Sequence, residues 1–250
     1  MSADEYLRGL VQKYAVNADG AKAAGNQIYP VLERWSNGFL NKAEFSGSLA
    51  KGTGISLSTD ADIFLSLSST TPGTLAEMYE TLGKAVSSAG YPVRKQDVSI
   101  GTTVSGFAID LVPGRRLSQY GNEHSLYRNR TGTWTKTDVQ THIALVSGSG
   151  RVDEIRILKA WRTRHNLHFP SFYIELATLD ALHYARHGDI AANVWRTLEH
   201  LRDNIKTARY IDPANTNNVV SDDCTASEKT AIAQQAAASI GKKTWQEIVW

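Results

Sequence analysis

The sequence predicts an α+β protein, with a mixed sheet and helices over residues 1–145 and a helical domain over residues 146–250. Three observations carry this. Residues 60–67 and 103–116 alternate in a strand-like period of two, and both carry aspartates among apolar neighbours. Residues 117–150 turn polar. From Arg151 onward the apolar period is helical throughout.

Taken in order, residues 1–35 read as one or two helices. Tyr6, Leu7, Leu10, Val11 and Tyr14 recur at helical spacing, as do Ile28, Val31 and Leu32 after an Ala/Gly-rich middle. In residues 45–67 a glycine turn opens a short helix, Gly47-Ser48-Leu49-Ala50-Lys51, and a strand follows. Side chains alternate across a strand, so Asp60 and Asp62 share one face while Ile63, Leu65 and Leu67 share the other and can be buried. A polar turn at 68–73 precedes an amphipathic helix built on Leu75, Met78, Tyr79, Leu82 and Val86, which ends at Gly90. Residues 93–98 form a short strand carrying Arg94 and Lys95.

In the next strand Phe107, Ile109 and Leu111 face one way and Ala108, Asp110 and Val112 the other, and Pro113-Gly114 are expected to stop it. Asp110 is an acid among apolar residues and needs a partner or a task, because a buried unpaired carboxylate is costly. Arg115 and Arg116 are the nearest candidates for an ion pair. The stretch 117–150, with Tyr120, Tyr127, Arg128, Arg130, Trp134 and Lys136, reads as a loop over a site or as an ordinary connection.

In the first C-terminal helix Val152, Ile155 and Leu158 make the apolar stripe, and Arg156, Lys159 and Arg162 line up as a row that composition alone would leave solvated. Pro170 opens the next helix, with Phe172, Leu176, Leu179 and Leu182 inside. His165/His168 and His183/His187 have spacings that zinc could use. Without a glutamate placed as in HExxH or a neighbouring cysteine they read as exposed histidines. A third helix spans residues 190–205, and the Asn- and Pro-rich run 212–219 is a structured turn. Residues 227–250 form an alanine-rich helix and a Trp-containing tail packed on the body.

The 250 residues allow one large domain or two small ones sharing a cleft. With 27 Lys and Arg against 25 Asp and Glu, a general nucleic-acid-coating role is disfavoured and phosphate binding has to be local. The single cysteine, Cys224, excludes an internal disulfide and is taken to exclude a Cys-based zinc site. The N-terminus has early acids and no long apolar run, so the expectation is a soluble, cytoplasmic protein without membrane contact. Two carboxylates on one strand face suit a hard divalent cation. Gly47 permits close backbone approach and Ser48 stands near a helix start, where phosphate is favoured.

The wording GSLAKGT followed by TDADIFLSL resembles the polymerase-β-like nucleotidyltransferases. It is closest in character to the cGAS-like branch that holds the oligoadenylate synthetases, the bacterial CD-NTases and the archaeal-type CCA-adding enzymes. IDLVPG resembles that family's third-carboxylate strand, LKAW its Leu-Lys-x-Trp, SFYIEL its aromatic-x-x-Glu-Leu helix start, and the Asp212-Pro213 to Val219 run its closing segment. The resemblance implies a nucleotidyltransferase palm with a helical domain closing a nucleotide cleft. It implies two Mg²⁺ ions, replaceable by Mn²⁺, on Asp60, Asp62 and Asp110, with Asp110 on the acceptor side as ligand or base. Gly47, Ser48, Lys51 and Lys159 would then bind the donor triphosphate, Ser171 would touch phosphate and Phe172 the base. The tyrosine usual at that place in oligoadenylate synthetases is absent. The implied reaction joins nucleoside triphosphates, as donor and acceptor, into a short cyclic or linear second messenger and releases pyrophosphate. The implied setting is anti-phage signalling through a downstream effector protein. The alternative is nucleotide addition to a tRNA or other polynucleotide 3′ end.

Overall fold

The computed structural model describes residues 1–58 and 60–250. Thr59, the first residue of TDADIFLSL, lies outside the described residues. In chain order the elements begin with α1 (Ala3–Lys13), α2 (Ala18–Ser36), β1 (Leu40–Phe45), α3 (Gly47–Lys51), β2 (Ala61–Leu67) and α4 (Leu75–Ser88). Then come β3 (Arg94–Lys95), β4 (Ile100–Val104), β5 (Phe107–Arg116), β6 (His124–Arg128), β7 (Thr133–Thr137) and α5 (Val139–Ser147). The chain closes with α6 (Val152–Arg164), α7 (Ser171–Ala181), α8 (Ile190–Asn204), β8 (Ile211–Asp212), β9 (Asn215–Val219), α9 (Ala226–Ile240) and α10 (Trp245–Ile248).

These elements form two units. One comprises residues 17–51 and 59–143, the other residues 1–16, 52–58 and 144–250. The expected division at 145/146 is thus corrected at the N-terminus, where α1 belongs with the helices. Its Leu7, Leu10 and Tyr14 are buried in one cluster with Ile157, Trp161 and Leu198. The chain can leave that unit after α1 because Tyr14 ends the helix and Asn17 starts another, its side chain accepting from the Gly20 N–H.

The sheet unit has seven strands among the described residues, in the order β1-β2-β5-β4-β3, with the β6-β7 hairpin added on β5. β2 and β5 run parallel, and the other pairs are antiparallel. Ile28 and Leu32 of α2 and Tyr79, Leu82 and Val86 of α4 form its core with Ile63, Leu65, Ile100, Ile109 and Leu111. Each such fully buried side chain stabilises by roughly 1.5–3 kcal/mol relative to leaving it in water. Two expectations fail here. Pro113-Gly114 do not stop β5, which continues to Arg116. Pro113 pairs with Leu65 on the β2 side, while on the other side the pairing with β4 extends only to Leu111 and that with β6 starts only at Gly114. No cross-strand partner there requires the amide hydrogen that proline lacks. Gly114 is needed because a Cβ would stand 2.6 Å from the Phe64 ring. The second failure is the stretch 117–150, which contains the β6-β7 hairpin and α5 instead of a loop.

In the helical unit Trp161 and Tyr173 are fully buried, with Trp161 Nε1 donating to Ser239 Oγ at 2.9 Å and the Tyr173 hydroxyl to the Ile205 carbonyl at 3.3 Å. Arg151 is buried and donates to the carbonyls of Leu182, Ala185 and Arg186, covering the exposed end of α7. The Asn-rich run is the small β8-β9 hairpin. No helix among the described residues is long and apolar enough to cross a membrane.

Candidate functional site

The parallel pairing of β2 and β5 places Asp62 directly opposite Asp110. Asp60 stands just before β2 and is exposed. The Asp60/Asp62 face continues along the strand through Phe64 and Ser66, both buried. Ser66 Oγ lies 2.8 Å from His124 Nε2, and Phe64 packs edge-on against the His124 ring. The acids therefore sit at the solvent-reaching end of a face that is otherwise closed.

Burial first, then the neighbouring charges of Asp110 and Asp60, push the Asp62 carboxyl up to about 6. The Lys51 ammonium and the backbone N–H of Ser48, which donates to this carboxylate, oppose the rise. Asp110 is also raised, by burial and by Asp60, against the pull of Arg94 and a hydrogen bond from Gln96. Gln96 Nε2 donates to Asp110 Oδ1 at 2.9 Å, and Arg94 Nη2 is 3.8 Å from the same oxygen. Neither expected arginine is the partner, and Arg115 instead donates to the carbonyls of Thr71 and Gly73. Arg94 and Gln96 were not identified from sequence as partners, although an arginine on a short strand was a usable signal.

Gly47 has a left-handed φ of 54°, and a Cβ there would come 1.8 Å from Asp62 Oδ2. Its freedom from a side chain is demanded first by the carboxylate, and the Ser48 amide is likewise turned onto Asp62. Lys51, at the end of α3, is buried. With Gly47, Asp62, Phe64, Val112 and His142 it lines a pocket of about 160 Å³ in the sheet unit. A separate groove of about 190 Å³, at Trp35, Leu67 and Met78, has Glu77 as its acid; that side chain caps α4.

In the helical unit the expected phosphate ligand Lys159 is 2% exposed. Its Nζ donates to Glu175 Oε1 at 2.6 Å and to Thr53 Oγ1 at 2.8 Å, while Thr53 Oγ1 donates to the same glutamate oxygen at 2.7 Å. The lysine of LKAW and the glutamate of SFYIEL are thus each other's partners inside the unit. Lys159 is buried in an ion pair, and a phosphate reaching it would compete with a carboxylate already in contact. The row Arg156-Lys159-Arg162 is not a solvated face either. Arg156 donates to the Val11 carbonyl at 2.8 Å, and Arg162 to the Phe169 carbonyl at 2.8 Å and to Ser171 Oγ at 3.1 Å. Ser171 is exposed at the start of α7, and Phe172 packs partly against the helical core.

Asp60, Asp62 and Asp110, with Gly47, Ser48 and Lys51, are therefore brought together in the sheet unit, while Lys159, Ser171 and Phe172 stand in the helical one. The donor set fits a hard divalent cation: all its donors are carboxylate oxygens, and burial together with the neighbouring acids disfavours the charged forms of Asp62 and Asp110, a cost that a cation among them would offset.

No protein-family model and no curated protein matches the chain. Solved structures do. CdnC of E. coli MS115-1, determined with ATP, is 20% identical, aligns over 99% of this chain and 97% of its own, and gives a TM-score of 0.77. The CD-NTase CdnG of Bradyrhizobium diazoefficiens, in complex with GTP, is 13% identical over 96% of this chain and 91% of its own, with a TM-score of 0.73. The cyclic dinucleotide synthase CdnE of Elizabethkingia meningoseptica, with GTP and Apcpp, is 16% identical over 97% and 100%, with a TM-score of 0.66.

Proposed function

We propose, for a chain with the fold of the CD-NTases, that it is a metal-dependent nucleotidyltransferase. It would join nucleoside triphosphates into a short cyclic or linear oligonucleotide and release pyrophosphate. The observation that carries this is the in-register Asp62/Asp110 pair beside Gly47-Ser48, an arrangement of like charges that raises the Asp62 carboxyl.

Asp60, Asp62 and Asp110 would hold Mg²⁺, or Mn²⁺ in its place. When bound, the ions supply charge neutralisation at the attacking oxygen and at the triphosphate. The chain's own residues set the geometry. The Ser48 N–H orients the Asp62 carboxylate. Gln96 and Arg94 engage Oδ1 of Asp110, and Oδ2 is the atom we assign to the proton of the attacking hydroxyl. Gly47, the Ser48 hydroxyl and Lys51 are assigned to donor phosphates, and Ser171 and Phe172 to phosphate and base. Lys159, paired with Glu175, is assigned to the donor triphosphate on the family resemblance alone. The neighbours crystallised with ATP or GTP support nucleotide substrates. The finer reading is a cytoplasmic second-messenger synthase in anti-phage defence acting through an effector protein, and it rests on the family resemblance.

The test is to incubate the purified protein with each NTP and each pair, with Mg²⁺ or Mn²⁺, with and without tRNA, over a salt series, and to read products by mass. Short oligonucleotides from free nucleotides, weakly dependent on salt, are expected. Product only after tRNA is added, falling steeply with salt as phosphate contacts release counterions, would replace this reading with 3′-end addition.

A further inference from the structure

The helical unit brings together three side chains that the sequence keeps apart. His168 lies in the turn before α7, and Cys224 and Glu228 lie at the start of α9. His168 Nδ1 is 2.9 Å from Glu228 Oε1, and Cys224 Sγ is 3.6 Å from the His168 carbonyl oxygen. One nitrogen, one sulfur and one carboxylate oxygen all lie within 4.8 Å of one another. We infer that His168, Cys224 and Glu228 form a zinc-binding site of the helical unit, separate from the acidic cluster of the sheet unit.

The chemistry selects the ion. Sulfur and imidazole with one carboxylate suit a borderline metal such as Zn²⁺, whereas Mg²⁺ takes an all-oxygen set. Ligands at the usual zinc distances of about 2.0–2.3 Å sit roughly 3.3–3.8 Å apart around a tetrahedron, so closure asks for shifts of about 1 Å. The parts can make them. The His168 side chain is 64% exposed, while the buried Cys224 fixes one corner. Glu228 is held by its other oxygen, which accepts from the Thr225 N–H at 2.7 Å and Oγ1 at 2.8 Å, so Oε1 is aimed by an outer partner as metal carboxylates commonly are. On binding, the Cys224 thiol gives its proton to solvent and the thiolate takes the metal. Three protein ligands would leave a fourth tetrahedral position for water. Such a site ties the turn that leads into α7 to the N-terminus of α9. It would run against the expectation that a single cysteine excludes Cys-based zinc binding, because one thiolate with histidine and glutamate makes a three-residue ligand set.

The test titrates the protein with Co²⁺ as a spectroscopic stand-in and measures Zn²⁺ affinity by competition with a chromophoric chelator. One equivalent of Co²⁺ should give a thiolate-to-cobalt charge-transfer band that persists in Asp62→Asn. Cys224→Ser should lose the band, and His168→Gln, on an exposed side chain, should fold normally and bind Zn²⁺ more weakly by at least the roughly 10–100-fold that even an outer partner of a ligand costs. Absence of the band in the unaltered protein, or unchanged zinc affinity in His168→Gln, would overturn the site whatever becomes of the nucleotide reaction.

Discussion

The two units treat buried charge in opposite ways. In the helical unit Lys159 and Glu175 are almost fully buried, yet each is matched by the other and by Thr53. In the sheet unit Asp62 and Asp110 face each other as like charges, and both carboxyls are pushed up. A buried opposite-charge pair becomes costly mainly when one partner is removed, whereas like-charged carboxylates brought together remain costly even with Ser48, Lys51, Gln96 and Arg94 beside them, and such perturbed clusters concentrate at functional sites. The first pattern marks structure and the second marks chemistry, although both contain residues that sequence motifs single out.

The sharpest break would come from Asp62→Asn. Nucleotide transfer should fall by on the order of a thousandfold, while the folded protein becomes more stable at neutral pH by up to about 2 kcal/mol as a buried charge and its repulsion with Asp110 and Asp60 are removed. Product mass analysis and thermal melts check the two halves, and normal turnover would remove Asp62 from the site. The same variant isolates a pH effect. Because the folded-state carboxyl is raised from 3.8 to about 6, the native state binds more protons than the unfolded one between those values. Stability from Asp62 is therefore present below about pH 4 and lost as pH rises to about 6, in chelator. The difference between the Tm curves of the unaltered protein and Asp62→Asn should shrink as pH falls, and Mg²⁺ should narrow it at pH 7.

Lys159→Met should cost about 3–5 kcal/mol by leaving Glu175 buried and unpaired, and Lys159→Met/Glu175→Leu should recover much of that. Denaturant melts of the three variants measure it. Should the double variant regain stability and still lose triphosphate binding, Lys159 would move from the matched to the unmatched group. Gly47→Ala combines a left-handed backbone penalty of about 1–2 kcal/mol with displacement of the Asp62 carboxylate. Activity should fall on the order of a hundredfold with the fold retained by circular dichroism.

The smallest effect belongs to His124. Burial holds its imidazole below 6.5 despite the Asn122 carbonyl. The unfolded chain then binds the extra proton, and stability should decline as pH falls below about 6.5. His124→Gln should flatten that decline in thermal melts while leaving the Asp62 difference curve unchanged.

Much of this contrast was legible in the chain. The period of two in residues 60–67, the lone acid of β5 and the helical period after Arg151 follow from local geometry, because which face a side chain occupies is fixed by the backbone repeat alone. Sequence thus determined the acids as a group, the glycine beside them and the two types of architecture. What it left open was every pairing between distant segments. That Asp110 leans on Gln96 and Arg94, that Lys159 meets Glu175 and Thr53, that α1 joins the far end of the chain, and that Cys224 reaches His168 were settled only when strands and helices packed. Whether a charge is matched is a property of its neighbours in space, and a one-dimensional pattern specifies the residue without specifying what will stand opposite it.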